Sequence, residues 1–401
     1  MLKKISRALA IGFLALIIGG ASYISVTIPG GLSGFWLMLT TVVGLNKSDA
    51  LVEQSRFILP EGFSLELIAE DVGYARFILV TQNNDLLVTL TDIGQIALLR
   101  DSNGDGKMDS QQVLIDGLSD PQGMAFDGNW LYFSERDKVS RVAFDQRTGS
   151  LAGAVEIILN DLSYGHPHMS HNAKALGISP DRMLHVNVGS PCNVCEPEDP
   201  AYSAMLRAEM DGSNLEIYAT GLRNSVGFDW APWSGDLYAT VNARDMLGDD
   251  FPPDELNMIV EGGFYGWPYY NGDNVPDPDF GDKRPDLASV AILPTYKFRA
   301  HNAPLGIHFI QPHANLPRSF NRTALVALHG SWNRSTLDGY KVISLHWDEE
   351  GNIENRDFIS GFLAEDGIIG RPVDVTQDQQ GRLYVTDDLG GRVYRIQYSE
   401  K

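Results

Sequence analysis

Short runs of alternating hydrophobic and polar residues, separated by turn residues, recur along the chain from about Pro60 onward. No long apolar stripe with the 3.6-residue period of a helix interrupts them. One unit repeats: a polar lead-in, an apolar run that often contains a glycine, a turn, and a strand of the Leu-Tyr-Val type. The six units begin at Gly73, Asp120, His171, Arg223, Asn302 and Gly370. This repetition predicts an all-β fold, a six-bladed β-propeller, in which each blade buries its faces against its neighbours. An irregular β-sandwich is the alternative.

The N-terminal region has a different pattern. Lys3, Lys4 and Arg7 precede a charge-free run of 39 residues that ends at Asn46. The first 21 of these, Ala8 to Ile28, are enough to cross about 30 Å of hydrocarbon as a transmembrane helix. Basic residues before such a helix predict a cytoplasmic N-terminus and a body on the periplasmic, extracytoplasmic side, anchored to the inner membrane. A cleaved signal peptide is the alternative.

A second apolar stretch of 14 residues, Leu32 to Leu45, follows the helix breaker Pro29-Gly30-Gly31. A two-helix hairpin would return the body to the cytoplasm, but this stretch is short for a second crossing. We therefore expect residues 1–50 to form a membrane anchor or signal segment and residues 51–401 to form the propeller domain.

Composition and charge narrow the range of partners. The 401 residues include 31 Lys and Arg against 52 Asp and Glu, which gives a net charge of −21. So acidic a body repels phosphate backbones, and nucleic acid is not an expected partner. The two cysteines, Cys192 and Cys195, cannot form a disulfide scaffold, but outside the cytoplasm their spacing favours one local disulfide.

One position of the repeat carries polar or charged residues in five of the six blocks. In a propeller this position lies at the rim of the central channel, so these residues converge although they are far apart in sequence. They are Asp120, His171, Arg223 with Asn224, Asn302 and Arg371. Arginines, amides and a histidine together suit an anionic ligand with a base above it. Polar side chains that merely fill the channel are the alternative.

Three segments suggest metal ions. The segment GHPHMSHNAK places His166 and His168 near His171, and two rings on one face of a strand form a possible transition-metal site. A dense acidic loop favours Ca²⁺, unless its carboxylates are simply solvated. Its members are Asp245, Asp249, Asp250, Asp254 and Glu255. The segment from Asp101 to Gln112 has calcium-loop spacing but no bidentate Glu at its last position, so a weak calcium turn and a polar hairpin remain open.

Longer motifs resemble a known family. The segments GLRNSVGFDW, NARDMLGDDFPPDELN, GGFYGWP, APLGIHF, ALHGSWNRS and GRPVDV are similar to those of the soluble-type PQQ-dependent sugar dehydrogenases, the glucose/sorbosone dehydrogenase group. The resemblance extends from about Leu59 to Tyr398. It implies a six-bladed propeller that oxidises an aldose sugar, or a related alcohol or aldehyde, with pyrroloquinoline quinone (PQQ) and Ca²⁺.

The resemblance also assigns roles to individual residues. His171 matches the catalytic base, which takes the proton of the sugar hydroxyl as hydride passes to the quinone. Arg223 and Asn224 match the pair that lies against the quinone, where a guanidinium stabilises the reduced cofactor. Arg371 matches an arginine that binds cofactor carboxylates, and Asn333 with Arg334 belongs to a motif that faces the cofactor.

Calcium ligands follow from the same comparison of motifs. The backbone carbonyls of Ala243 and Arg244 match those that hold the catalytic calcium, which polarises the quinone as a Lewis acid. Glu255 and the carbonyl of Tyr265 match a further, structural calcium site.

The chain departs from the family at several positions. A cofactor lysine aligns roughly with Gln311, and a second arginine aligns with Val373. Ser170 stands where the glucose dehydrogenases have an acidic residue, and Lys174 stands where arginine is common. The two lost cations weaken the expected hold on PQQ unless Lys174 and Arg334 replace them.

The prediction is therefore a quinoprotein sugar dehydrogenase, with neither the sugar nor the electron acceptor specified. A calcium-dependent propeller lactonase would use the same acidic loop with water as the nucleophile. It needs carboxylates on the channel rim, where this chain has mainly arginine, asparagine and histidine. A membrane-anchored propeller that only binds sugar or a partner protein is the non-enzymatic alternative.

Overall fold

The computed structural model describes residues 28, 31–47, 54–162, 171–365 and 367–400. Helix α1 spans Gly31–Val42, and short 3₁₀ turns span Gln54–Arg56, Gly281–Lys283, Pro285–Ser289 and Arg318–Phe320. Everything else of regular structure is β, as the alternating pattern predicts.

The strands are short, and most run antiparallel to their neighbours. In chain order the first half are β1 (Phe63–Ala69), β2 (Ala75–Val80), β3 (Leu86–Leu90), β4 (Gln95–Arg100), β5 (Ser110–Ile115), β6 (Met124–Asp127), β7 (Trp130–Ser134), β8 (Val139–Asp145), β9 (Ser150–Leu151), β10 (Glu156–Leu159), β11 (Leu176–Ile178), β12 (Leu184–Val188), β13 (Ala204–Ala208), β14 (Glu216–Thr220) and β15 (Ser225–Trp230).

The second half are β16 (Leu237–Val241), β17 (Glu255–Ile259), β18 (Gly263–Phe264), β19 (Tyr270–Asn271), β20 (Val275–Pro276), β21 (Tyr296–Lys297), β22 (Pro304–Phe309), β23 (Thr323–Leu328), β24 (Lys341–Trp347), β25 (Ile353–Ile359), β26 (Leu363–Ala364), β27 (Gly367–Ile368), β28 (Pro372–Gln377), β29 (Leu383–Asp387) and β30 (Arg392–Tyr398).

Six sheets of four or five strands form the blades of a propeller, which confirms the predicted fold. The sheet orders are β2-β3-β4-β5, β6-β7-β8-β10, β11-β12-β13-β14-β18, β15-β16-β17-β21, β22-β23-β24-β25 and β28-β29-β30-β1, and β9 pairs with β8. Strands β19-β20 and β26-β27 form small separate hairpins. The innermost strands are those at which the six sequence units were predicted to start.

The ring closes through the first strand. β1 pairs antiparallel with β30, so that Phe63 lies opposite Tyr398 and Leu65 lies opposite Ile396. The last blade therefore contains strands from both parts of the chain, and its exposed edge is covered by an early strand.

The glycines of the repeat allow neighbouring blades to approach at the channel. A Cβ at Gly227 would collide with the Leu305 carbonyl oxygen and would lie 2.9 Å from Cα of Gly306. Real Cβ atoms do not approach other atoms so closely, so only glycine permits this contact between β15 and β22. Aromatic residues fill the wider space farther out, where Phe309, Tyr238 and Trp347 pack with ring centroids 5.3–5.5 Å apart.

The N-terminal membrane prediction concerns a segment that the structure describes only in part. No helix among the described residues is long and apolar enough to span a membrane. Residues 8–27 of the predicted crossing lie outside the described residues, and the second apolar stretch forms the 12-residue helix α1. The division into residues 1–50 and 51–401 stays a prediction.

Candidate active site

All six innermost strands begin at one end of the central channel, here called the site end. They finish at the other end, here called the opposite end. A cavity of about 380 Å³ lies at the site end. Its walls are loops that either lead into the innermost strand of a blade or follow the second strand of a blade. It is lined by His171, Asn193, Arg223, Asn224, Asn242, Ala243, Asp245, Asp254, His301, Ala303, Trp332 and Asn333. The structure thus brings together five predicted site residues, namely His171, Arg223, Asn224, Asn333 and Ala243.

His171 is held as a neutral imidazole. Its Nδ1 lies 2.9 Å from the backbone carbonyl oxygen of Ser190, which places the proton on Nδ1 and makes Nε2 the basic nitrogen. Burial and the nearby Arg223 lower the pKa of His171 to about 4. A ring in this state can accept a proton at neutral pH.

Arg223 is buried, and its guanidinium is bound on two sides. Nε and Nη2 donate to the backbone oxygen and Oδ1 of Asn193 at 2.9 and 2.8 Å. Nη1 donates to the carbonyl of Asn242 at 3.1 Å and to that of Ala243 at 2.6 Å, and Nη2 also lies 3.1 Å from Oδ2 of Asp245. The charge is therefore fixed in position at the cavity wall.

Three amide oxygens in the cavity wall are buried without a hydrogen-bond partner among the described residues. They are the Oδ1 atoms of Asn224, Asn242 and Asn333. The amide of Asn333 is oriented by its Nδ2, which donates to Asp245 at 2.8 Å. Because buried polar atoms are normally satisfied, three such oxygens around one cavity indicate a place for a bound cation or hydrogen-bond donor.

Asp254 joins the loops of two blades beneath this cavity. One carboxylate oxygen accepts the N–H of Ala243 and the other accepts the N–H of Ala303, both at 2.9 Å. Burial raises the pKa of Asp254 to about 7. Asp254, predicted only as part of an acidic loop, is a structural brace of the site.

A second cavity of about 390 Å³ shares His171 and Asn224 with the first and extends across the channel. Buried Asp388 holds two arginines beside this cavity. Arg76, which lines the cavity, donates Nη1 to it at 2.8 Å, and Arg371, which lines neither cavity, donates Nε at 2.9 Å. His329 Nε2 lies 2.9 Å from the same carboxylate. Burial opposes ionisation of Asp388, but these three groups outweigh it and hold the pKa well below its usual range.

Sequence reasoning missed Arg76 and Asn193. Arg76 lies near the start of β2, in the first of the six blocks. This is the one block for which no residue was assigned to the rim position, so applying the repeat to it would have identified Arg76. Asn193 lies inside the Cys192–Cys195 disulfide, whose formation the structure confirms. No sequence signal connects Asn193 with Arg223.

Lys174 and Arg334 lie outside both cavities. Lys174 is completely buried, its Nζ is 3.4 Å from the carbonyl oxygen of Asn172, and burial lowers its pKa to about 8. Arg334 donates to the carbonyl of Ala300 at 3.0 Å and to that of Asp249 in the acidic loop. Their contact with a cofactor stays a prediction.

The predicted calcium residues occupy two places. Ala243 lines the cavity, whereas the side chain of Arg244 turns away to form an ion pair with Asp277 at 2.7 Å. Glu255 is buried in β17, accepts the N–H of Gly272 at 3.0 Å, and has its pKa raised to about 7 by burial. Tyr265 is also buried, and its hydroxyl donates to the Met258 carbonyl at 2.6 Å.

The structure describes the other candidate metal sites only in part. Among the described residues, no three His, Cys, Asp or Glu side chains come together as a metal site. His166, His168 and Ser170 lie outside the described residues. The turn that begins at Asp101 joins β4 to β5, and the carboxylate of Asp101 accepts the N–H groups of Gly104 and Gly106. Calcium in that turn stays a prediction.

The structure places the two positions that lack a family cation, Gln311 and Val373, in different surroundings. Gln311, which aligns roughly with a cofactor lysine, follows the end of β22 and lies at the opposite end, beside Gln377. It lines neither cavity of the site end. Val373 is fully buried in an apolar floor beneath the site, together with Phe77, Val226 and Leu305. The family has an arginine at the position of Val373. In this chain Arg76, from the neighbouring blade, supplies a guanidinium next to Arg371 instead.

The TrAA12-like family profile matches residues 57–269 and 282–399. The chain belongs to the TrAA12-like family. A Borreliella burgdorferi protein of uncharacterized function is 30% identical over 92% of this chain and 98% of its own length. A pyrroloquinoline quinone-dependent sugar dehydrogenase of Hypocrea jecorina is 22% identical over 85% of this chain and 89% of its own length.

Solved structures support the same fold for this TrAA12-like chain. A Trichoderma reesei structure of Carbohydrate-Active Enzymes family AA12 matches with a TM-score of 0.72 and 22% identity, covering 88% of this chain and all of the other. The holo PQQ domain of a Coprinopsis cinerea pyranose dehydrogenase matches with a TM-score of 0.70 and 19% identity, over 85% and 97% of the two chains. The family profile thus confirms the resemblance drawn from the motifs, and these structures share the fold that it implies.

Proposed function

We propose that this protein is a PQQ-dependent dehydrogenase that oxidises an aldose sugar or a related alcohol or aldehyde. The observation that carries the proposal is the site-end cavity, where a neutral histidine, a fixed guanidinium and three unpartnered amide oxygens surround one space. Acid–base chemistry beside a charge-stabilising group is what such an oxidation requires.

The residues present fit PQQ and Ca²⁺. The unpartnered oxygens of Asn224, Asn242 and Asn333 and the carbonyl of Ala243 are hard donors of the kind that Ca²⁺ prefers. Arg76, which lines the second cavity, and Arg371, which shares Asp388 with it, would bind cofactor carboxylates, since guanidinium groups match carboxylate geometry. When bound, PQQ supplies the two-electron acceptor for hydride, and Ca²⁺ polarises it.

The chain itself supplies the proton transfer. Ser190 fixes Nδ1 of His171, so Nε2 would accept the proton of the substrate hydroxyl. Arg223 would place a positive charge where negative charge develops in the transition state. The apolar floor formed by Phe77, Val226, Leu305 and Val373 closes the channel below the site, and this limits access of water from the opposite end.

We also propose that the propeller is anchored on the extracytoplasmic face of a membrane by the N-terminal segment. Support comes from the charge-free run Ala8–Ile28 and from the disulfide, which is typical of oxidising compartments. Helix α1 exposes apolar side chains, including Trp36 and Val42. The backbone N–H of Ile368 donates to Asn46 just after α1, close in sequence to Arg371. In this arrangement α1 meets the propeller at the site end.

The experiment that tests the function is a calorimetric titration of the purified protein with PQQ, with and without Ca²⁺, followed by a dye-linked assay with a panel of aldoses. We expect saturable, calcium-dependent uptake of one PQQ per chain and sugar-dependent bleaching of the dye. Absence of PQQ uptake would overturn the proposal and leave a propeller that binds sugar or a partner without a quinone.

A further inference from the structure

The turn closed by the disulfide touches both functional groups of the proposed site. The turn follows β12 and runs from Ser190 to Cys195, with the Cys192–Cys195 bond at its end. Ser190 contacts His171, and Asn193 contacts Arg223. These are the proposed base and the proposed charge-stabilising group, and they precede innermost strands of different blades.

Asn193 binds its neighbours through its side-chain amide and its backbone oxygen. Its Oδ1 accepts from Arg223 Nη2 and from the N–H of Asp245, both at 2.8 Å, while its Nδ2 donates to the carbonyl of Asp245 at 3.2 Å. Its backbone oxygen accepts from Arg223 Nε at 2.9 Å. Asn193 therefore joins the arginine to the loop that carries Ala243.

Ser190 performs the matching task for the histidine. Its backbone oxygen receives the Nδ1 proton of His171, and its hydroxyl donates to the carbonyl of Cys192 at 2.7 Å. Cys192, one half of the disulfide, is thus hydrogen-bonded to Ser190, the residue that sets the tautomer of His171. One covalently closed turn therefore contacts both His171 and Arg223.

We propose that the Cys192–Cys195 turn is the positioning element of the active site, acting on Arg223 through Asn193 and on His171 through Ser190. The inference rests on the proposed function, because it assigns that function's two reacting groups to one support. Asn193 and Ser190 are positioning residues, since they act through their hydrogen bonds to Arg223 and His171.

The first test compares PQQ affinity, measured by calorimetry with Ca²⁺ present, in wild type, Asn193→Ala and the double variant Cys192→Ser/Cys195→Ser. We expect roughly 10- to 100-fold weaker binding in both, since charge-assisted hydrogen bonds to Arg223 are lost or loosened. Asn352→Ala, in the exposed turn between β24 and β25, is the matched control and should bind as wild type does. Affinity within twofold of wild type in both variants would overturn the proposal.

A double-mutant cycle shows whether Asn193 acts through Arg223. In an Arg223→Ala background, Asn193→Ala should change PQQ affinity by less than twofold, because its partner is already absent. An equal loss of affinity in both backgrounds would contradict positioning and indicate general damage. Circular dichroism at the assay temperature confirms that each variant is folded.

A measurement without cofactor separates this inference from the proposed function. The imidazole ¹⁵N spectrum reports the tautomer of His171, assigned with His171→Ala. Wild type should show the proton on Nδ1, and the double variant should show a mixture of tautomers. An unchanged tautomer in the double variant would refute the positioning role. A normal tautomer in a wild type that takes up no PQQ would refute the proposed function instead.

Discussion

The two ends of the central channel use the same repeat and differ in chemistry. Each end has a cavity with a histidine: His171 at the site end and His308 at the opposite end, where the cavity volume is about 280 Å³. His308 lies 3.6 Å from Asp229, whose carboxylate accepts the backbone N–H groups of Trp230 and Phe309. At the opposite end, backbone N–H groups of two neighbouring blades bind the carboxylate of Asp229. At the site end, side chains from different blades meet around a space.

Two aspartates of one blade illustrate the contrast. Asp388, at the site end, is surrounded by Arg76, Arg371 and His329, which lower its pKa. Asp374, on the channel-facing strand β28, accepts the backbone N–H groups of Ile78 and Val375, and burial raises its pKa to about 7. Buried carboxylates are therefore common to the fold, and the surrounding cations distinguish the site.

The largest expected effect is on turnover, when the histidine at each end of the channel is replaced by alanine. His171→Ala should lower turnover by roughly 10³-fold or more, because it removes the base, while PQQ affinity changes only a few-fold. His308→Ala, the matched change at the opposite end, should leave turnover within about threefold. Steady-state dye-linked kinetics measure both. Equal losses in the two variants would remove the distinction between the ends.

The arginines should affect binding of the cofactor. Arg76→Ala and Arg371→Ala should each weaken PQQ affinity roughly 10- to 100-fold, since each removes a charge-assisted contact with a carboxylate. Arg382→Ala is the control, because Arg382 binds buried Asp378 in the same blade. Calorimetry should show wild-type affinity for that variant. Normal PQQ binding by Arg76→Ala would disprove its assignment.

The smallest effect concerns stability at the opposite end. The pKa of Asp374 is raised to about 7 in the fold, against roughly 3.9 when unfolded, so between pH 4 and 7 the fold holds a proton that the unfolded chain releases. The free energy of unfolding therefore falls as pH rises through this window. Asp374→Asn should lose less thermal stability than wild type between pH 5 and pH 8, as calorimetric melting temperatures will show.

Asp388 should behave in the opposite way, because its pKa is lowered in the fold. Its contribution is present above the unfolded pKa and is lost as pH falls. The difference in melting temperature between wild type and Asp388→Asn should therefore shrink between pH 5 and pH 3. A difference that grows on acidification would contradict the ion-pair account of the site end.

The sequence was enough to predict the blades and the centre of the site. Strand periodicity and a repeated rim position depend on local residues, so the six units, His171, Arg223 and Asn224 could be identified before the structure. The sequence alone does not show at which end of the channel Gln311 lies, because a polar residue next to a strand gives the same pattern before and after it. Only the strand direction places Gln311 at the opposite end.

Contacts between blades could not be predicted in this way. Arg76 and Arg371 are 295 residues apart and meet only because Asp388 binds both. Asn193 reaches Arg223 from another blade through a turn whose conformation the disulfide fixes. Such partners depend on ring closure and loop geometry, which leave no periodic trace in the sequence.

The most direct test of the central claim is an anaerobic single-turnover experiment on the wild-type protein loaded with Ca²⁺ and PQQ. The holoprotein is mixed with excess aldose, without a dye, and the PQQ absorbance is followed. The account predicts loss of the oxidised-quinone spectrum, equal to one two-electron reduction per chain. An unchanged spectrum with every sugar of the panel, despite bound PQQ, would contradict it.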